Sequence, residues 1–256
     1  MSIEPLLKIK TKQLEKTNYM SKKNSYIGIS FIILIFGIYV IRNLDDRISN
    51  ETLIDDNRLN KKNEAEQLAN NKLFVYNKVP SFEFTNQDGN IINNETYKGK
   101  VYVVEFFFTT CPSICPIMNQ KMLLIQKEFT ENSNVGIASI SITPAIDTQE
   151  VLKSYASSNG ITHKNWHLLS GKSEETVFNL SNKGFKLYAG IDNKIEHGGF
   201  EHSGLFALVD KTGTIRSRKD TQGNPILYYR AIEDGGFPDQ INELKEDIKI
   251  LLNEYN

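Results

Sequence analysis

Cysteine is almost absent from this chain: Cys111 and Cys115 are the only two in 256 residues. One such pair excludes a zinc ribbon, which needs several, and the spacing is not the Cys-x-x-Cys of a dithiol redox motif. Net charge is nearly absent too, at −1. A chain with no strong basic field gives no electrostatic reason to expect nucleic acid as a partner. There is no internal repeat and no low-complexity tract. What remains is a globular composition, 39% hydrophobic and 24% charged, in a length that suits one ordinary domain with residues left over.

Long apolar runs are scarce as well. One, "YIGISFIILIFGIYVI" from Tyr26 to Ile41, carries no charge and lies between Lys22 and Lys23 on one side and Arg42 on the other. Its sixteen residues would rise roughly 24 Å as a helix, slightly short of a ~30 Å hydrocarbon core. Snorkelling lysines, Asn24 and Ser25 at the interface, or local thinning would cover the difference. A cleaved signal peptide is the alternative, but no small-x-small pattern follows the run and the basic leader is long. The sequence therefore predicts a transmembrane anchor at 26–41. Residues 1–25 hold six lysines against two acids, so they form a basic leader that stays cytoplasmic and sends the rest across the membrane. Composition and the lack of an Arg-rich transit peptide favour a single-pass protein of the bacterial inner membrane, with its C-terminal domain in the periplasm.

Residues 42–76 have no glycine or proline and many charges, which reads as a solvated stalk. The domain is expected over 77–256. "FEFTNQDGNII" reads as a hairpin turning at Asp88-Gly89, and "VYVVEFFF" as a central strand covered on both faces. After the cysteines, Met118, Met122, Ile125 and Phe129 recur at helical spacing. "VGIASISI" and "WHLLSG" read as strands. "DTQEVLKSYASSNG" reads as a helix capped by Asp147 or Thr148, and "SEETVFNLSNKGF" as one capped by Ser173. "GLFALVDKTGTIRSR" is a hairpin turning at Lys211–Gly213, and Ile241, Leu244, Ile248 and Leu251 mark a closing helix. Strands alternating with helices, then a hairpin and a last helix, predict an α/β sandwich of the thioredoxin type with a central mixed sheet.

The cysteines sit in "FFFTTCPSICPIMN", where a strand gives way to a helix, a common place for sites in α/β folds. A helix N-terminus favours thiolate, and Pro112 and Pro116 suit a loop or a first helical turn. Residues four apart on a helical turn place their β-carbons ~5–6 Å apart. That spacing allows two thiolates on one metal, and equally a disulfide. A disulfide over so small a loop would constrain the unfolded chain little.

A metal needs a third group, and the chain has four histidines. His163 and His167 run from a polar turn into a strand and read as surface or packing residues. His197 lies in the polar loop "KIEHGGF". His202, in "FEHSGLFALVD", stands just before a buried strand with Glu201 and Ser203 as candidate orienting neighbours.

Taken together, "FFFTTCPSICPIMNQKM", "SISITPAIDTQEVLKSYASS", "WHLLSGKSEETV" and "EHSGLFALVDKTG" resemble, in order and spacing, the SCO/SenC family of copper chaperones, over roughly residues 79–218. The resemblance implies a thioredoxin-like fold and copper, as Cu(I) or Cu(II), held by Cys111, Cys115 and His202. It also implies delivery of that copper to the binuclear copper site of cytochrome c oxidase, with the copper-site subunit as partner and a second copper chaperone or a thiol reductant as further ones. Two positions depart from the family pattern: Thr143 and Glu201 stand where aspartates are usual. The alternative reading is an enzyme, a thiol-disulfide oxidoreductase or a peroxiredoxin-like peroxidase, with Cys111 and Cys115 as its redox pair.

Overall fold

The computed structural model describes residues 29–40, 72–192 and 198–254. The chain divides into two units, Met1–Glu66 and Gln67–Asn256. In the first unit the described residues form one helix, α1 (29–40), whose apolar side chains are largely exposed. Among the described residues no helix is long and apolar enough to cross a membrane. The transmembrane helix expected at 26–41 is thus not supported: the described twelve residues rise only about 18 Å. The leader and most of the stalk lie outside the described residues.

The second unit is an α/β fold. Its strands are β1 (Phe74–Lys78), β2 (Glu83–Asn86), β3 (Ile91–Asn93), β4 (Val101–Phe107), β5 (Val135–Ser141), β6 (Trp166–Ser170), β7 (Ala189–Ile191), β8 (Phe200–His202), β9 (Leu205–Val209), β10 (Thr214–Ser217) and β11 (Tyr229–Arg230). Its helices are α2 (Ile114–Glu128), α3 (Gln149–Ser158), α4 (Glu174–Phe178) and α5 (Ile241–Glu254). The main sheet runs β1-β10-β9-β4-β5-β6-β2-β3, with β11 on β9, while β7 and β8 form a separate ribbon. Strands β4, β5 and β6 are parallel and the other pairs antiparallel, so the sheet is mixed, as expected. β1 takes in Phe74–Tyr76, which the sequence reading left in the stalk.

Each residue of β4 and β5 is buried, the burial expected of central strands covered on both faces. Met118, Met122 and Ile125 of α2 are fully enclosed, as are Leu244, Ile248 and Leu251 of α5. Thr148 caps α3 by accepting from the Val151 amide, and Ser173 caps α4 by accepting from that of Thr176. α4 is short and continues as a π-helical turn over Asn179–Phe185.

Three hairpin turns share one construction. In "NQDGN", "DKTGT" and "DTQGN" the first side chain (Asn86, Asp210, Asp220) accepts from the amides two and four residues on. The glycine in fourth place (Gly89, Gly213, Gly223) donates back to the first carbonyl with φ of +74 to +85°. At the first turn Gly89 alone has positive φ; Asp88 does not. The Asn86 side chain does what a second left-handed residue would do in a two-residue turn.

At the sheet's far edge the buried Arg216 of β10 pairs with Asp210 and Glu254 and donates to the Leu73 carbonyl. That cluster ties β1 and the end of α5 to the hairpin β9–β10.

Candidate metal centre

β4 ends at Phe107, and the chain then turns through Phe108, Thr109 and Thr110, with the Cys111 amide donating to the Phe108 carbonyl at 3.3 Å. α2 starts at Ile114, so Cys115 and Pro116 fall in its first turn, where the missing proline N–H breaks no intrahelical bond. Cys115 is buried and continues inward the stripe of Met118 and Met122. Cys111 stays in the loop.

The third group arrives on a separate ribbon. β7 and β8 pair Ala189 with His202, which places the imidazole against the cysteine loop. His202 Nε2 lies 2.9 Å from Cys115 Sγ, and Nδ1 lies 3.1 Å from the Ser203 carbonyl oxygen. The tautomer with Nδ1–H donating to that carbonyl is the one a bound metal would select, since it turns the Nε2 lone pair to the sulfurs. The Phe108 ring meets the imidazole edge to face at 5.9 Å. The donor atoms of Cys111, Cys115 and His202 all lie within 4.8 Å of one another, and all three residues are buried.

The thiols are unequal. The hydrogen bond shared with Cys115 draws the Cys111 thiol down to about 3, against an opposing push from burial, with help from His202 and from backbone amides. Burial pushes the Cys115 thiol well up, reinforced by the same shared proton. Of the two thiols, Cys111 is therefore the more acidic and Cys115 the one that holds its proton more firmly. Two sulfurs and one imidazole nitrogen form a soft set that could hold a metal ion. Both sulfurs are free.

The structure thus brings together the three residues singled out in the sequence. The neighbours of His202 act otherwise than expected. Glu201 is exposed, and Ser203 orients the ring through its carbonyl, while its hydroxyl is buried without a partner among the described residues. His163 is buried against the Phe129 carbonyl, and His167 lies beside Asn86 and the Tyr97 ring. Both are packing residues with their basicity lowered by burial. His197 lies outside the described residues.

Of two acids near the centre, Glu105 was missed and Asp147 was given another role. Asp147, a candidate helix cap, instead turns inward and is fully buried. Glu105, inside the apolar-looking β4, accepts from Ser139 Oγ at 2.6 Å while its second oxygen has no partner among the described residues. A lone acid in a strand with no polar neighbours was the available signal for Glu105.

The family model described as SCO1/SenC matches residues 71–234. The chain is similar to the SCO1 protein homolog of Bacillus subtilis (strain 168), with 32% identity over 172 residues, 65% of this chain and 81% of that one. It is similar to the crystal structure of a SCO1/SenC family lipoprotein from Bacillus anthracis str. Ames, with a TM-score of 0.60 and 28% identity over 71% of this chain and 98% of that one. It is also similar to BsSco, a member of the Sco family of cytochrome c oxidase assembly proteins in which a disulfide switch was identified. There the TM-score is 0.57 and the identity 28%, over 70% of this chain and 96% of that one. The mixed-sheet α/β unit is the fold these structures share, and the chain belongs to the SCO1/SenC family.

Proposed function

We propose that this protein is a copper metallochaperone that takes one copper ion on Cys111, Cys115 and His202 and delivers it to the binuclear copper site of cytochrome c oxidase during assembly. The observation that carries the reading is the convergence of two sulfurs and one imidazole nitrogen within 4.8 Å in a buried pocket. Two thiolates and an imidazole suit Cu(I), and with an added oxygen ligand Cu(II), while structural zinc usually takes four protein ligands.

Each residue has a distinct part in loading and release. Cys111, the more acidic of the two thiols, offers the first leg. Cys115 gives up its proton as its sulfur bonds the metal, and the Nε2 lone pair of His202 completes the set. Cys111 is 8% exposed against 3% and 5% for the other two, and it lies on the loop. It is therefore the leg that an incoming thiolate of the acceptor displaces first. We place this exchange in the periplasm of a bacterium, with attachment to the inner membrane through the run at 26–41.

A second reading has its own support. A thiolate next to a thiol that can resolve a mixed disulfide is the arrangement of a thiol-disulfide oxidoreductase. Transfer separates the two. The Cu(I)-loaded full chain is mixed with the copper-site domain of the oxidase subunit, and copper is followed on each partner after separation. The chaperone reading predicts that copper moves to the acceptor. Copper that stays put, together with fast reduction of a disulfide in that domain by the copper-free chain, favours the oxidoreductase.

A further inference from the structure

Beneath the cysteine loop the ends of β4 and β5 are joined by one carboxylate. Asp147 is fully buried, and its hydrogen bonds come from neutral donors. Oδ1 accepts from Thr109 Oγ1 at 2.5 Å. Oδ2 accepts from Ser141 Oγ at 2.5 Å, from Thr143 Oγ1 at 3.0 Å and from the Thr109 amide at 3.2 Å. The acid is fixed in turn: its own amide donates to the Thr143 carbonyl at 2.9 Å, and the Thr143 amide donates to Ser141 Oγ at 3.1 Å. A buried carboxylate with no cation costs several kcal/mol unless its lone pairs are filled. Here four donors fill them, and two of the four belong to Thr109.

Thr109 is one residue removed from Cys111, with Thr110 alone between them. The far side of this loop is closely packed too: a β-carbon on Gly198 would lie 3.2 Å from the Phe108 ring and 3.3 Å from Pro112 Cδ. The loop is thus held between Gly198 above and the Asp147 carboxylate below.

We propose that Asp147 is the positioning residue of the metal centre, latching Thr109 so that Cys111 stays within ligating reach of Cys115 and His202. The inference rests on the copper reading for its ligand but not for its geometry. Thr143 belongs to the same device. Where an aspartate is usual in the family pattern, this chain places a hydroxyl that donates to Asp147 and adds no second charge to the pocket.

Groups that hold a ligand in place without touching the metal typically carry 10–100-fold in metal affinity. The test uses the full chain and the variants Thr109→Val and Thr109→Ser, because Asp147→Asn would set an amide donor against the donors already there and endanger folding. Thr109→Val removes the hydroxyl while keeping the side chain's shape; Thr109→Ser keeps the hydroxyl. Cu(I) affinity is read by competition with a chromophoric chelator. With metal absent, carboxamidomethylation of Cys111 by iodoacetamide reports the looseness of the loop, and the thermal midpoint reports the fold. The expected result is 10–100-fold weaker Cu(I) binding and faster Cys111 alkylation in Thr109→Val, with wild-type values of both in Thr109→Ser; losing one donor to a buried carboxylate lowers the Thr109→Val midpoint by several degrees while the chain stays folded at the assay temperature. Wild-type affinity and wild-type alkylation in Thr109→Val would overturn the proposal. Should the wild type itself take no Cu(I), the copper reading fails, and the alkylation rates alone still decide whether Asp147 positions Cys111.

Discussion

Replacing Glu105 by glutamine should make the protein's stability less dependent on pH, by an amount the structure sets. The carboxyl is buried in the middle of β4, opposite Ser139 of β5. Burial raises its pKa from an ordinary 4.5 to about 7, with the Ser139 hydrogen bond pulling the other way. Cys115 and Tyr155 lie near enough for the Glu105 charge to raise the pKa of each. Between these two pH values the folded protein keeps a proton that the unfolded chain releases. The stabilisation is whole below pH 4.5 and is lost as pH rises through about 7. At about 1.4 kcal/mol per pH unit the whole loss is about 3 kcal/mol, most of which falls between pH 5 and pH 8. Glutamine keeps the oxygen that accepts from Ser139 and cannot ionise. Urea unfolding of wild type and Glu105→Gln at both pH values should show the variant gaining about 2–3 kcal/mol on the wild type from pH 5 to pH 8. Parallel curves, with one stability difference at both pH values, would refute the reasoning.

Other perturbations test the frame around the site. Arg216→Ala leaves the buried Asp210 without its guanidinium and frees the Leu73 carbonyl, so denaturant unfolding should show a loss of about 3–5 kcal/mol. Met122→Ala, in the fully enclosed stripe of α2, should cost about 2–5 kcal/mol in the same assay, while Leu124→Ala on the exposed side of that helix should cost far less. Ser173→Ala removes the cap of α4 and should lower stability by about 1 kcal/mol.

Local signals carried much of this fold. The unbroken apolar run of β4, the helical spacing of Met118, Met122 and Ile125, and the face of Ile241 to Leu251 each report burial within a few residues of sequence. What escaped depends on pairing across the chain. β7 and β8 have three residues each, too few for a period to show, yet they carry His202 to the sulfurs. The contact of His202 with Cys115 spans 87 positions, and no spacing rule reaches that far. Family resemblance supplied it. Asp147 looked like a helix cap because caps and inward latches draw on the same residue types; the neighbouring Thr148 took the cap. The anchor prediction rested on the apolar run, its flanking charges and the basic leader; among the described residues no helix is long and apolar enough to cross a membrane.

The central claim is that Cys111, Cys115 and His202 hold copper together. The most direct test reconstitutes the reduced full chain with Cu(I), counts bound metal, and reads its ligands by X-ray absorption, for wild type and for His202→Ala. The account predicts one copper per wild-type chain with two sulfurs and one nitrogen, and a large loss of affinity and of the nitrogen in His202→Ala. Equal affinity and an unchanged nitrogen shell in that variant, or no stoichiometric copper in the wild type, would contradict it.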